Sequence, residues 1–335
     1  MLHCNDVTRI VMPKVARFSK TGGPDVLTLD EVAVGEPPVG QVRIRHTAIG
    51  VNFIDTYHRS GLYPLPLPSS LGSEAAGIIE AIGPGVTHIK RGDRVAYAGG
   101  PIGAYCEARV MPADRLIKLP DAISDQQAAA MMLKGMTVQY LIRRTHRVQA
   151  GEIILWHAAA GGVGLIACQW LKALGATVIG TVGSEEKAAL ANEHGCNYAI
   201  NYTQEDFAQR VREITDGSGV PVVYDSVGKS TFEGSLNCLQ PRGLMVSFGN
   251  ASGPVPPVEP LLLTQKGSLY LTRPTLASYT ATREELEATA GEVFDIVASG
   301  KVKIPVRHVY KLTDVQQVHR DLEARKTTGC VVMVL

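Results

Sequence analysis

The residues with the plainest chemical reading are Ala158-Ala159-Ala160-Gly161-Gly162-Val163-Gly164, set between the apolar run Ile153-Ile154-Leu155-Trp156-His157 and the helical run Leu165 to Leu174. Against the pattern GxGxxG, Ala159 takes the first position, Gly161 the second and Gly164 the third, with Gly162 and Val163 between them. The chemistry such a turn offers is pyrophosphate binding. A side chain at Gly161 would hold the phosphates away from backbone N–H groups at the positive end of the helix, and one at Gly164 would push the helix off the strand. A glycine triplet alone also fits a simple tight turn. Here a strand precedes it, a helix follows, and a second strand, Thr177 to Val182, comes next, which is the βαβ setting of a dinucleotide site.

That second strand runs into Gly183-Ser184-Glu185-Glu186-Lys187. A site selecting NAD normally carries Asp or Glu at the strand tip for the ribose 2′-hydroxyl, whereas Gly183 and Ser184 stand here. The Ser184 hydroxyl can donate to a 2′-phosphate, and Lys187, one helical turn on, brings a positive charge toward it. Each charge-assisted bond contributes on the order of 1.5–3 kcal/mol, roughly a ten- to hundredfold preference. The pattern predicts NADPH. Ser184 serves equally well as a helix cap, with Glu185 and Glu186 complementing the dipole, and either glutamate could instead turn toward the ribose.

The elements that must position these residues can be read from periodicity. From Lys14 to about Lys118 short β runs (Gln41 to Ile49, Gly77 to Ile82, Ala104 to Met111) alternate with Gly and Pro turns, predicting a compact, barrel-like β domain. Ser124 and Gln127 form a capping-box pattern opening a helix through Ala128 to Leu133, and Thr137 to Arg144 reads as a second. Between Glu152 and Arg273, apolar strands (Ile153 to His157, Thr177 to Val182, Tyr198 to Asn201, Val222 to Asp225, Leu244 to Phe248, Ser268 to Thr272) alternate with helices, the pattern of a doubly wound parallel sheet. A helix capped by Thr282 and Glu285, strand His308 to Lys311, helix Asp314 to Ala324 and strand Cys330 to Leu335 follow. This tail cannot complete the βαβ series and is expected to return to the first domain. The expected division is 12–133 for the β-rich catalytic domain, 134–276 for the nucleotide domain and 277–335 for the return, with 1–11 a disordered extension or a misassigned start.

Composition bounds the function classes. The chain has 335 residues, 45% of them hydrophobic, enough for two buried cores. Its 33 basic and 32 acidic residues nearly cancel, which leaves no electrostatic footprint for nucleic acid or a membrane surface. No apolar stretch approaches the roughly 20 residues that span a bilayer, so no membrane association is expected and the cytoplasm is the expected compartment. Six cysteines are scattered singly, against both a disulfide scaffold and a sulfur-rich metal site.

Further motifs carry a resemblance. Asn52-Phe53-Ile54-Asp55-Thr56-Tyr57, Arg59-Ser60-Gly61-Leu62-Tyr63-Pro64, Leu133-Lys134-Gly135-Met136-Thr137-Val138-Gln139-Tyr140, His157 to Gly164, Ser247-Phe248-Gly249-Asn250 and Ala324-Arg325-Lys326-Thr327-Thr328-Gly329 stand in one order and spacing. From Met12 onward the chain resembles the zeta-crystallin-like quinone oxidoreductases, the zinc-free branch of the medium-chain dehydrogenase/reductase superfamily. The resemblance implies an α/β fold with a chaperonin-10-like β domain and a Rossmann domain, a cleft between them for nicotinamide and substrate, and a homodimer. It implies that Asn52, Tyr57 and Tyr63 line the nicotinamide and substrate side and that Thr137 approaches the cofactor. Lys187, Tyr202 and Arg325 match positions that hold the adenosine 2′-phosphate, with Ser184 nearby. Phe248, Asn250 and Arg273 match the far side of the cofactor channel, and Ser226 is a further candidate cofactor residue. Each has a plainer reading: Asn52 as a turn residue, the tyrosines as half-buried aromatics, Arg325 as a helix-end cation.

The zinc alcohol dehydrogenases share this architecture, with a catalytic Cys near the position of Asn52 and a His in Gly-His-Glu. That motif reads Gly72-Ser73-Glu74 here, no cysteine lies between Cys4 and Cys106, and the four-cysteine lobe is absent. His46, His58 and His88 stand isolated. Without a Lewis acid for alkoxide charge, quinones or conjugated carbonyls, which delocalise the charge themselves, are the consistent hydride acceptors. The expected function is therefore metal-free NADPH-dependent quinone reduction. The alternatives are an NADPH-dependent alkenal or enone reductase, and a non-enzymatic NADPH- or RNA-binding crystallin-like protein.

Overall fold

The structure, a computed structural model, describes residues 11–335. The expected extension therefore lies outside the described residues except at Val11, which is not loose: it forms a two-way antiparallel bridge with Val34, at 3.1 and 2.9 Å. The chain divides into two compact units, one holding the residues up to Leu133 with Val306–Leu335, the other Lys134–Pro305.

The first unit begins with β1 (Lys14–Phe18), β2 (Thr28–Glu31), β3 (Gln41–Val51), α1 (Phe53–Ser60), β4 (Ser69–Ser70), β5 (Glu74–Ile82), β6 (Arg94–Ala98), β7 (Ala108–Pro112) and β8 (Ile117–Lys118), and α2 (Asp125–Tyr140) then carries the chain out of it. The long strand β3 is the spine. One edge pairs antiparallel with β5, and the other pairs with β7 along Gln41–Arg45. Ile44, Ile49, Ile79, Val95, Tyr97 and Met111 form the core beneath it, the buried half of the alternation read in the sequence. Helix α2 starts as expected, Ser124 Oγ accepting from Gln127 N at 3.2 Å and Gln127 Oε1 from Ser124 N at 3.1 Å. It does not stop at Leu133. The two expected helices are one, because Gly135 serves a close approach and not a break: a Cβ there would lie 2.8 Å from Val293 Cγ1. A π-helical turn, Leu141–Thr145, ends it.

The second unit runs β9 (Ile153–Trp156), α3 (Gly162–Ala173), β10 (Thr177–Val182), α4 (Glu185–Glu193), β11 (Tyr198–Asn201), α5 (Phe207–Ile214), β12 (Val220–Asp225), α6 (Phe232–Cys238), β13 (Leu239–Ser247), α7 (Pro260–Gln265), β14 (Tyr270–Thr272), α8 (Leu276–Tyr279) and α9 (Arg283–Ala298). Its six strands are parallel, in the order β11-β10-β9-β12-β13-β14. This is the doubly wound order, whose switch point lies between β9 and β12. β14 is shorter than expected because Ser268 is left-handed (φ 56°) and cannot extend the strand. Helix α9 carries its capping box, Glu285 N donating to Thr282 Oγ1 at 3.2 Å. It belongs to this unit, since Val293 packs on Gly135, so the return starts at Val306 and not at 277.

The return comprises β15 (Val306–Lys311), α10 (Val315–Glu323) and β16 (Cys330–Val334). β16 pairs antiparallel with the end of β3 and parallel with β15, completing the first unit's sheet.

Candidate functional site

The glycine turn leaves β9 with Ala158 at φ 55° and enters α3 through Gly161, the N-cap, which has no side chain to cap the first helical amides. A Cβ on Gly161 would meet only Ala158 O, at 3.2 Å, so the other side of this position is open to a ligand. A Cβ on Gly164 would lie 2.4 Å from Ala158 O and 2.6 Å from Ala159 O, which makes that glycine a packing requirement. Alanine is accommodated in the first position because Gly180 on β10 faces it; a Cβ at Gly180 would sit 2.6 Å from Ala159 Cβ.

Beneath the turn lies His157, whose role the sequence did not reveal. It is fully buried, with Nδ1 at 2.8 Å from Thr181 Oγ1 and Nε2 at 2.9 Å from Ser235 Oγ, and Ser235 donates to Asp225 Oδ2 at 2.9 Å. Burial lowers the His157 pKa, so the neutral ring serves as a hydrogen-bonded strut between β9, β10 and α6.

At the tip of β10, Ser184 is the N-cap of α4 and accepts from Lys187 N at 3.3 Å. Both glutamates that could have opposed a 2′-phosphate are engaged elsewhere. Glu185 Oε1 accepts from Asn201 Nδ2 at 2.7 Å, and a hydrogen bond from Ser184 holds the Glu186 carboxyl below its ordinary range. Gly183 makes room for Tyr202: a Cβ there would lie 2.6 Å from the tyrosine hydroxyl. Ser184, Lys187 and Tyr202 thus gather at the adjoining ends of β10 and β11.

Ser226, Phe248, Asn250 and Arg273 gather at the ends of β12, β13 and β14. Phe248 N donates to Asp225 O at 2.8 Å, and Gly249 lets the following loop pass Ser226, since a Cβ there would meet Ser226 O at 2.4 Å. Arg273 Nη1 holds this loop through Ser247 Oγ at 3.0 Å and Gly249 O at 2.9 Å, and the Phe248 ring stands 5.7 Å from that of Trp156. Because the strands are parallel, all these residues and the glycine turn share the C-terminal edge of one sheet, the edge at which doubly wound folds bind ligands. Thr137 belongs to the same unit, half-buried on α2.

In the first unit, Asn52 caps α1, Tyr57 is buried within that helix, and Tyr63 folds back so that the two tyrosine rings meet edge-on at 5.2 Å. Asn52 is braced twice. Its backbone N–H donates to Asp55 Oδ2 at 2.9 Å and its Nδ2 donates to Glu74 Oε2 at 2.7 Å. From Asp55 a buried polar chain continues: Tyr105 OH donates to Asp55 Oδ2 (2.9 Å), His319 Nε2 reaches Tyr105 OH (3.3 Å), and Arg59 joins His319 Nδ1 (2.9 Å) to Glu323 Oε1 (2.5 Å). The guanidinium can only donate, so His319 carries its proton on Nε2, and from Arg59 through His319 and Tyr105 each bond donates toward Asp55, while Arg59 donates the other way to Glu323. Glu323 ends α10, and two residues beyond it stands Arg325, left-handed at φ 57°.

The sequence alone assigns no role to Asp55, Glu74, Tyr105, His319 or Arg59. Asp55, three residues after Asn52, carried a capping signal; the others are brought together only by the return of the chain. The three histidines near this region are occupied: His46 by Cys106 O (2.8 Å) and Tyr97 OH (3.0 Å), His58 by Tyr63 O (3.2 Å), and His88 by Ala113 O (3.0 Å).

Two family profiles match the chain, the alcohol dehydrogenase GroES-like domain over residues 38–121 and the zinc-binding dehydrogenase domain over 162–294. A quinone oxidoreductase of Pseudomonas aeruginosa is 56% identical over 324 residues, covering 96% of this chain and 100% of that one. A 2-haloacrylate reductase of Burkholderia is 47% identical and covers 96% and 99% of the two chains. Among solved structures, the Escherichia coli quinone oxidoreductase complexed with NADPH superposes with a TM-score of 0.95 at 53% identity, covering 96% of this chain and 100% of that one. With a GroES-like unit around Asn52, a Rossmann unit around the glycine turn and relatives this close over their full length, the chain belongs to the quinone oxidoreductase family of the medium-chain dehydrogenase/reductase superfamily.

Proposed function

We propose that the protein reduces quinones by hydride transfer from NADPH, without a metal. The observation that carries this reading is the row of groups along the C-terminal edge of the parallel sheet. The turn Ala159–Gly164 suits a pyrophosphate at the N-terminus of α3, and Ser184, Lys187 and Tyr202 suit the 2′-phosphate, with Glu185 and Glu186 tied to Asn201 and Ser184. Ser226, Phe248, Asn250 and Arg273 then border the rest of the dinucleotide, Thr137 approaches it, and the family resemblance adds Arg325 as a further cation for the 2′-phosphate. Asn52, Tyr57 and Tyr63 take the nicotinamide and acceptor side.

Bound NADPH supplies the hydride; the chain supplies orientation and a polar frame around Asn52. The residues do not fit the zinc named in the description of one matching family. Ser73 stands where that chemistry needs a histidine, its hydroxyl is buried without a hydrogen-bond partner, and the described residues bring together no three His, Cys, Asp or Glu side chains able to hold a metal ion. An acceptor that delocalises its own charge suits such a site. The family resemblance supports a homodimer, and the five cysteines among the described residues, all free and buried, fit a reducing compartment such as the cytoplasm.

The 2-haloacrylate reductase at 47% identity favours a second reading, reduction of a conjugated alkene by the same donor. Steady-state oxidation of NADPH with a panel of quinones and conjugated enals separates the two. Turnover with quinones at least tenfold more efficient supports the first reading, and the reverse order the second.

A further inference from the structure

We infer that Glu74 is a positioning residue for Asn52: it fixes which atom of the Asn52 carboxamide is offered to the ligand, and couples that choice to the backbone of α2 where the chain leaves the first unit. This inference rests on the reading of Asn52 as a residue of the nicotinamide and acceptor side.

Glu74 opens β5 and is wholly buried. Its two oxygens are divided between two tasks. Oε2 accepts from Asn52 Nδ2 at 2.7 Å, and Oε1 accepts from Leu133 N at 2.7 Å. With the NH2 group of Asn52 turned to the carboxylate, its acceptor oxygen faces away. Leu133 is an interior residue of α2, and the carbonyl one turn earlier in the ladder is that of Ala129. A carboxylate reaching such an amide from another element is an insertion into the helical ladder. The same rung is crowded from the strand side, for a Cβ on Gly50 of β3 would lie 2.1 Å from Ala129 O and 2.3 Å from Glu74 Oε2. Glycine at 50 is thus what admits the carboxylate between strand and helix. A carboxylate is costly to bury unless its oxygens are satisfied, and an apolar side chain would close this space more simply. What the carboxylate adds is a one-way bond to Asn52: it can only accept, so Asn52 can only donate to it.

The test uses the full-length protein and five variants. In Glu74→Gln the glutamine oxygen can keep Leu133, while its NH2 faces Asn52, whose carboxamide must then turn over and offer a donor where the native protein offers an acceptor. In the double variant N52D/E74Q, aspartate accepts from the glutamine NH2 and again offers an oxygen, at unchanged net charge. E74Q is expected to lose at least tenfold in kcat/KM with NADPH and quinone and to bind NADPH more weakly in a fluorescence titration. N52D/E74Q is expected to recover to within about threefold of the native protein in both. N52D alone, with two carboxylates face to face, is expected to be slower than the pair, and this comparison decides the matter should E74Q fold poorly. Hydrogen exchange in the cofactor-free protein gives a readout independent of turnover: Glu74→Ala should speed exchange around Leu133 at least tenfold, and Asn52→Ala should not. E74Q with native kinetics and NADPH affinity, or a double variant slower than N52D, overturns the inference while a slow N52A upholds the reading of Asn52. N52A with native kinetics and NADPH affinity overturns that reading itself.

Discussion

Ser184 was the residue with two readings, and the structure commits its hydroxyl to its own helix, accepting from Lys187 N and bonding Glu186. In the proposed 2′-phosphate site, discrimination by charge then falls on Lys187 together with Arg325. Lys187→Ala is expected to lower kcat/KM for NADPH about tenfold while leaving NADH nearly unchanged, and Ser184→Ala to cost about 1 kcal/mol of stability through loss of the cap. Paired steady-state and denaturation measurements check both; a Lys187→Ala enzyme with an undiminished NADPH preference contradicts the assignment. The histidines give a second residue-scale prediction. Burial holds His46 at about 4 and His319 at about 3, both below the ordinary 6.5. As pH falls below 6.5 the unfolded chain takes up protons at these positions and the folded protein does not, so stability present at pH 7 drains away toward the folded values. Between pH 7 and 5 each histidine is expected to cost about 2 kcal/mol. Equal denaturation midpoints at pH 7 and 5 contradict this. The glycine turn and the Ser184 cap were legible because their meaning is local. Tyr105, His319 and Arg59 were not, because the contacts that give them meaning span 50 to 264 positions of chain.

The elements of the second unit were legible almost strand by strand, because buried parallel strands read as short apolar runs between capped helices. Thr177–Val182 and Tyr198–Asn201 have the bounds expected of them. The departures have local causes. Ser268 is left-handed, which shortens β14, and Gly135 packs on Val293, which lets α2 run through where two helices were expected. Glycine as a break and glycine as a close approach look alike in a sequence and differ only in what stands opposite. In the turn after β9 the close approach is at Gly164, where the neighbours are backbone carbonyls that cannot give way. Gly164→Ala is expected to destabilise by about 1–3 kcal/mol and to weaken NADPH binding, as thermal denaturation with and without NADPH would record; an unchanged melting temperature contradicts the packing argument.

At the scale of the whole molecule, the return of the chain to its first unit was legible from the failure of the βαβ alternation, but its starting point at Val306 was not, since α9 carries the same capping and apolar pattern whichever unit it joins. The sheet of the second unit ends in β14, which pairs only with β13 among the described residues and exposes Tyr270 and Leu271. An apolar edge strand of this kind is a template for pairing with a second copy. In the homodimer proposed here, Leu271→Lys is expected to shift the protein toward monomer in sedimentation velocity, and a native protein that sediments as a monomer contradicts the dimer. Metal-free, NADPH-dependent quinone reduction by this protein is decided by the steady-state rate of quinone reduction with NADPH and with NADH, measured on protein treated with a zinc chelator. kcat/KM is expected to be at least tenfold higher with NADPH and unaffected by the chelator. Equal efficiency with the two cofactors, or loss of turnover on chelation, would contradict it.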